Sequence, residues 1–179
     1  MSAADISVLM VIAPEKFRDE ELNVTRDVLA KAGRQITVAS TRTGDCKGML
    51  GHVEPVAHTL EDAGAGNYAA LVLAGGTGAP GYLWDNARLH EIIARHYNLG
   101  KVVAAICLSG VALARAGILK GKEATVYKSP ESVKAYRDSG VIFMDQEVAL
   151  SGNIITANGP AASRRFGLAI VDALRRTAD

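Results

Sequence analysis

Aromatic residues are scarce: three Phe, five Tyr and one Trp make up 5% of the 179 residues. So few rings give no stacking platform for single-stranded nucleic acid. Net charge is almost absent too, because twenty Lys and Arg stand against nineteen Asp and Glu, leaving +1. The densest basic pairs, Arg164-Arg165 and Arg175-Arg176, fall in or beside the last predicted helix, where they read as a solvated face and not as a nucleic-acid footprint. Cysteine is limited to Cys46 and Cys107, in unlike settings, which argues against a disulfide framework. The apolar run in MSAADISVLMVIAPEK is too short for a spanning helix, and it lacks the basic start of a signal peptide. The expectation is a cytoplasmic protein with no nucleic-acid or membrane partner. No long linker, repeat or low-complexity stretch divides the sequence, so 1–179 is expected to form one domain.

What is present is an alternation. Nearly continuous apolar runs, ISVLMVIA (Ile6 to Ala13), AALVLA (Ala69 to Ala74) and KVVAAIC, read as strands covered on both faces, and QITVAS reads as a further strand. Between them lie helical patterns: Arg18 to Ala32, with Leu22, Thr25, Val28, Leu29 and Ala32 on one stripe, then Asn86 to Tyr97, and the short LSGVALARAG closed by Gly117. Thr41 to Glu61 is irregular and predicts a short hairpin or excursion. Further strands are expected at EATVY, EVALS and NIITA, with helices near Glu131 to Asp138 and Ala161 to Arg176. This order implies a mostly parallel sheet with helices on both faces, a doubly wound α/β sandwich whose function collects at the carboxyl ends of its strands.

One such end carries LVLAGGTGAPG, Leu71 to Gly81, which contains GxGxxG. A dinucleotide turn needs an acidic residue near the end of the following strand to hold the ribose. Here that strand is KVVAAIC and ends in cysteine, and Pro80 interrupts the motif. The glycines instead suit an anion or oxyanion, because Gly75 and Gly76 permit positive φ and leave backbone N–H groups open.

Cys107 sits between a strand and a helix in VVAAICLSGVALARAG, the layout of a nucleophile elbow with flanks unlike GxSxG. Facing a helix N-terminus, its thiol is expected to have a depressed pKa, roughly 3.5–7.5 for such cysteines. The competing reading is a small buried hydrophobe. Cys46, in the polar TGDCKG, reads as an incidental surface thiol. In FRDEEL, Asp19 and Glu20 read as acids that complement the helix dipole. Glu21 shares a face with Val24, Thr25 and Val28, which turns its carboxyl partly inward and should raise its pKa. His90 and His96 read as surface residues, and no metal site is expected.

These segments together resemble the ThiJ/PfpI superfamily, which includes PfpI-type intracellular peptidases. FRDEEL is similar to its acidic helix start, LVLAGGTGAP to its glycine turn, AAICLSGVALARAGILKGKEAT to its elbow and IITANGPAASRRFGLAIVDAL to its last strand and helix. The resemblance covers nearly the whole chain. It implies a flavodoxin-like three-layer sandwich, usually dimeric, of the class I glutamine-amidotransferase-like type. Cys107 is implied as the reactive residue and Glu21 as its hydrogen-bond partner. Gly75, Gly76 and Leu108 fall on the oxyanion and substrate segment, with Gly76 and Leu108 supplying N–H groups. Tyr127 matches a position that is tyrosine in peptidase-like members and histidine in another branch. Leu108 replaces the histidine that peptidase members carry after the cysteine, and Ser109-Gly110 replaces Gly-Pro.

The resemblance implies a cofactor-independent enzyme acting on small reactive carbonyls, of glyoxalase or deglycase type, as a homodimer. Isonitrile hydration could use the same elbow. The alternatives are a redox-responsive stress protein or chaperone with an oxidisable Cys107, and a cysteine peptidase, which Leu108 disfavours.

Overall fold

The structure is a computed structural model and describes residues 6–177. Strand β1 (Ser7–Val11) leads through the short β2 (Glu15–Phe17) into helix α1 (Asp19–Lys31). After β3 (Gln35–Ser40) comes the expected hairpin, β4 (Gly44–Gly48) and β5 (Val53–Val56), then β6 (His58–Thr59) and α2 (Leu60–Gly64). Strand β7 (Ala70–Leu73) runs into the glycine turn, followed by α3 (Ala79–Tyr82) and α4 (Ala87–Asn98). Strand β8 (Val102–Ile106) enters a 3-10 turn, Cys107–Ser109, and α5 (Gly110–Arg115). The chain continues through β9 (Glu123–Ala124), α6 (Pro130–Asp138) and β10 (Ile142–Phe143). It finishes with β11 (Val148–Ser151), β12 (Ile154–Ala157) and α7 (Ser163–Arg176).

Seven strands form the main sheet in the order β11-β12-β8-β7-β1-β3-β6, parallel except for the β11–β12 hairpin. Val11 pairs with Leu73, Leu73 with Ala105, and Ile106 with Ala157. The carboxyl ends of β1, β7, β8 and β12 therefore emerge along one edge. Side chains alternate between faces with period two. Leu9, Val11, Leu71, Leu73, Val103 and Ala105 pack with Leu89, Ile92 and Ile93 of α4 and with α5. Val8, Met10, Val72, Ala104 and Ile106 pack with Leu22 and Leu29 of α1 and with Phe166, Ile170 and Leu174 of α7. Both layers are fully closed, which is why the sequence of these strands is apolar throughout instead of alternating. Among the described residues no helix is long and apolar enough to cross a membrane.

Five expectations change. Cys46 is fully buried, because strand alternation turns Asp45 and Lys47 outward and the thiol inward against the α1 layer. His96 is also buried, one turn after Ile92, with Nδ1 2.8 Å from the Ile92 carbonyl and its ring stacked on Tyr68 at 6.5 Å; burial pushes its pKa down. Asp19 is no mere dipole complement: its carboxylate accepts from the N–H groups of Leu50 (2.9 Å) and His52 (2.7 Å), clamping the hairpin to the start of α1. Val24 is 37% exposed, so the inward face of α1 is Glu21, Leu22, Thr25, Val28 and Leu29. In EATVY the strand stops at Ala124, where Thr125 N turns to the side chain of Thr156 (2.9 Å).

Candidate active site

Cys107 stands at the exit of β8 with φ +61°, a conformation that β-carbon-bearing residues avoid by roughly 1–2 kcal/mol. Neighbouring groups hold it there. Ser109 Oγ, fully buried, lies 2.7 Å from the Ile106 carbonyl and 2.9 Å from the Leu73 carbonyl, tying the ends of β7 and β8 together. Trp84 Nε1 donates to the Leu108 carbonyl at 2.7 Å. Gly110 packs under the hydroxyl of Tyr136, which a Cβ there would approach to 2.6 Å. The Ser-Gly pair that departs from the family pattern thus has its own packing partners.

The glycine turn closes on the elbow from β7. A Cβ on Gly75 would lie 2.7 Å from the Ile106 carbonyl oxygen, 2.8 Å from Cys107 Cβ and 2.8 Å from Glu21 Oε2. Gly76, at φ +110°, abuts the backbone of Lys16 to Arg18, with Arg18 N donating to the Gly75 carbonyl at 2.9 Å. These contacts explain the two glycines: the backbone has to pass where any side chain would collide. Gly75→Ala is expected to lower the melting temperature by several degrees and to cost most of any Cys107-dependent turnover. Thermal denaturation beside a rate assay reads both.

Glu21 is fully buried. Its Oε2 accepts from Gly75 N at 2.7 Å, while Oε1 is buried without a partner at conventional hydrogen-bond geometry. The carboxyl and the Cys107 thiol are close enough for each to act on the other's proton. Burial lifts the Glu21 pKa from 4.5 to about 7, against the lowering effect of the Gly75 N–H. The expected depressed thiol is not found. Burial first, and the Glu21 carboxylate second, push the Cys107 thiol up, although the N–H groups of Leu108 and Gly76 favour its anion. The helix that was to stabilise thiolate is only a 3-10 turn followed by six residues, too short for its field to win. The two acids together hold one proton more readily than they release both.

The site residues fall as follows. Cys107, Glu21, Gly76 and Leu108 converge. Gly75 is present too, but its N–H is taken by Glu21, so it holds the carboxylate and leaves the open donors to Gly76 and Leu108. Tyr127 is tethered through its N–H to the Cys107 carbonyl at 3.4 Å, with its side chain 48% exposed. The histidines are engaged elsewhere: His52 with Glu54, His90 with the Trp84 carbonyl, His96 with the Ile92 carbonyl, and His58 is exposed. Among the described residues no three His, Cys, Asp or Glu side chains are grouped to hold a metal ion. Sequence reading missed Ser109, Trp84 and Arg18. The one tryptophan of a chain so poor in rings was the available signal for Trp84. Ser109 and Arg18 had none, since the contacts that place them at the site, to the Leu73 and Gly75 carbonyls, are made across the fold.

The family model of the DJ-1/PfpI family matches residues 6–173. The chain belongs to this family. A DJ-1/PfpI fold is also what the solved structures show: a ThiJ/PfpI domain protein from Brachyspira murdochii superposes with a TM-score of 0.90 at 30% identity, covering 95% of this chain and 96% of that one. An uncharacterized protein from Methanocaldococcus jannaschii is 48% identical over 169 residues, 94% of this chain and 82% of the relative. Deglycase PfpI from Pyrococcus furiosus is 30% identical over 152 residues (85% and 90%). A glutathione-independent glyoxalase from Caenorhabditis elegans is 27% identical over 172 residues (96% and 90%). Within a DJ-1/PfpI chain, the cysteine–glutamate pair described above lies at the carboxyl edge of the sheet, where doubly wound folds carry their sites.

Proposed function

We propose that this chain is an enzyme acting on small reactive carbonyl compounds, with Cys107 as nucleophile and Glu21 as proton shuttle. The observation that carries the reading is the buried thiol–carboxyl pair, with Glu21 poised at about 7 and the N–H groups of Gly76 and Leu108 beside the sulfur. Relatives named deglycase and glyoxalase support the same class of chemistry.

With a 2-oxoaldehyde such as methylglyoxal, the Glu21 carboxylate takes the thiol proton as sulfur adds to the aldehyde carbon. The aldehyde oxygen, negative as the bond forms, sits against the Gly76 and Leu108 donors until it is protonated to a hemithioacetal. Glu21 then removes the proton from the former aldehyde carbon and returns one to the neighbouring carbon, converting the ketone to an alcohol and the hemithioacetal to a thioester. Water cleaves the thioester, releasing lactate and the thiol. The sum is methylglyoxal plus water to lactate and a proton, with no net redox change and no cofactor required by the steps.

The test is methylglyoxal consumption with lactate detection by protein freed of copurifying glyoxalases. Lactate formed in proportion to protein, and abolished by prior alkylation of Cys107, is the expected result. No lactate above the alkylated control overturns the reading; sulfinate at Cys107 after peroxide would then favour the redox-responsive role. Trp84→Phe removes the N–H that anchors the Leu108 carbonyl. It is expected to reduce kcat about tenfold while leaving the melting temperature within a few degrees, as steady-state kinetics and thermal denaturation will read.

A further inference from the structure

Arg18 opens the helix that carries Glu21 and brings a positive charge to bear on the thiol–carboxyl pair. Its backbone is fixed at the glycine turn by the 2.9 Å bond to the Gly75 carbonyl, and a Cβ on Gly76 would lie 2.5 Å from Arg18 N. Its side chain is 28% exposed and so stands at the boundary between the buried pair and solvent. Glu20 occupies one edge of the guanidinium, Nε at 2.7 Å and Nη2 at 3.0 Å, and Nη1 is without a partner among the described residues. Glu20 is itself 37% exposed, and an ion pair this solvated is weak enough to share its guanidinium with a ligand anion.

The other acids nearby do not oppose such an anion equally. Asp19 is spent on the N–H groups of Leu50 and His52. Glu21 carries a proton for part of the cycle, and its carboxyl is buried against the Cys107 thiol and the Gly75 N–H. A guanidinium is planar and forked, and it matches carboxylate and phosphate oxygens.

We infer that the site selects reactive carbonyls bearing a carboxylate or phosphate within a few bonds of the carbonyl carbon, with Arg18 binding that anion. This rests on the reactive-carbonyl reading and narrows its substrate class. The covalent steps are unchanged; the anion remains on the guanidinium while sulfur adds to the carbonyl carbon. Arg18 thereby orients the carbonyl toward the Gly76 and Leu108 donors.

The experiment compares alkylation of Cys107 by iodoacetate and by iodoacetamide, followed by peptide mass. Both reagents are attacked by the same thiolate with loss of iodide, one anionic and one neutral. Their rate ratio therefore cancels any change in thiol pKa, a change that a merely structural or electrostatic role would cause. The iodoacetate-to-iodoacetamide ratio is expected to be about fivefold or more higher in the wild type than in Arg18→Gln. Arg18→Lys should keep much of the preference, and Glu20→Gln should increase it. In the wild type alone, added salt should erode the ratio, which tests the same point without any variant. Equal ratios in wild type and folded Arg18→Gln, or a ratio indifferent to salt, overturn the inference. No turnover is needed for this readout: a high ratio without turnover of any carbonyl, neutral or anionic, would sink the carbonyl reading and leave Arg18 only as an anion-binding group, and a flat ratio in an active enzyme would sink Arg18 alone.

Discussion

Cys107→Ala is expected to reduce methylglyoxal turnover to the solution background, a loss of about 10³-fold or more, because no other group can form the covalent adduct. Cys46 cannot substitute: it is fully buried, and burial also raises its thiol pKa. The variant should remain folded. Alanine keeps the β-carbon and with it the strain of φ +61°, so the elbow, held by Ser109 and Trp84, stays in place. Cys107→Gly should be equally inactive yet more stable than Cys107→Ala by about 1 kcal/mol, since glycine adopts positive φ without penalty. Denaturant midpoints of the two variants read this difference. Equal midpoints would mean that the elbow relaxes when the thiol is removed. Lactate formation persisting in either variant would remove Cys107 from the mechanism.

Glu21→Gln should separate activity from stability in opposite directions. Glutamine still accepts from Gly75 N but cannot carry a proton, so kcat and kcat/KM are expected to fall together by about 10²–10⁴. In the wild type the rate should climb through pH 7, as Glu21 loses the proton that blocks it as a base. Stability moves the other way. The folded carboxyl titrates at about 7 against 4.5 ordinarily, so between those values the native state holds a proton that the unfolded chain has released. Wild-type stability contributed by this group is therefore present below pH 4.5, falls as pH rises through the window, and is gone above 7. Two and a half pKa units correspond to at most about 3 kcal/mol. Glu21→Gln escapes this loss, and its melting temperature should match the wild type near pH 4 and exceed it by several degrees above pH 7. Parallel melting curves across this pH range would show that Glu21 is not held protonated by burial.

Much of this was legible along the chain. Three apolar runs separated by amphipathic stripes dictate a parallel sheet covered on both faces, because only such a sheet buries every residue of VLMV, ALVL and VVAAI. An acid at the start of the first helix, two glycines after one strand and a cysteine after the next pointed to the candidate site, since each marks a strand end and parallel strands put those ends on one edge. Period-two and period-3.6 patterns are local, and local order is what a linear reading resolves. Where the contact is made across the fold, the reading stopped or erred. Cys46 looked polar because its neighbours are, and the hairpin's alternation turned it inward. The elbow promised a depressed thiol pKa, yet burial raises it, and with burial a carboxyl that lies 86 positions away along the chain. Gly75 looked like an oxyanion donor until a carboxylate 54 residues distant took its N–H. Sequence determined which groups reach the edge; tertiary packing alone decided which of them are desolvated together, and desolvation sets where the proton resides.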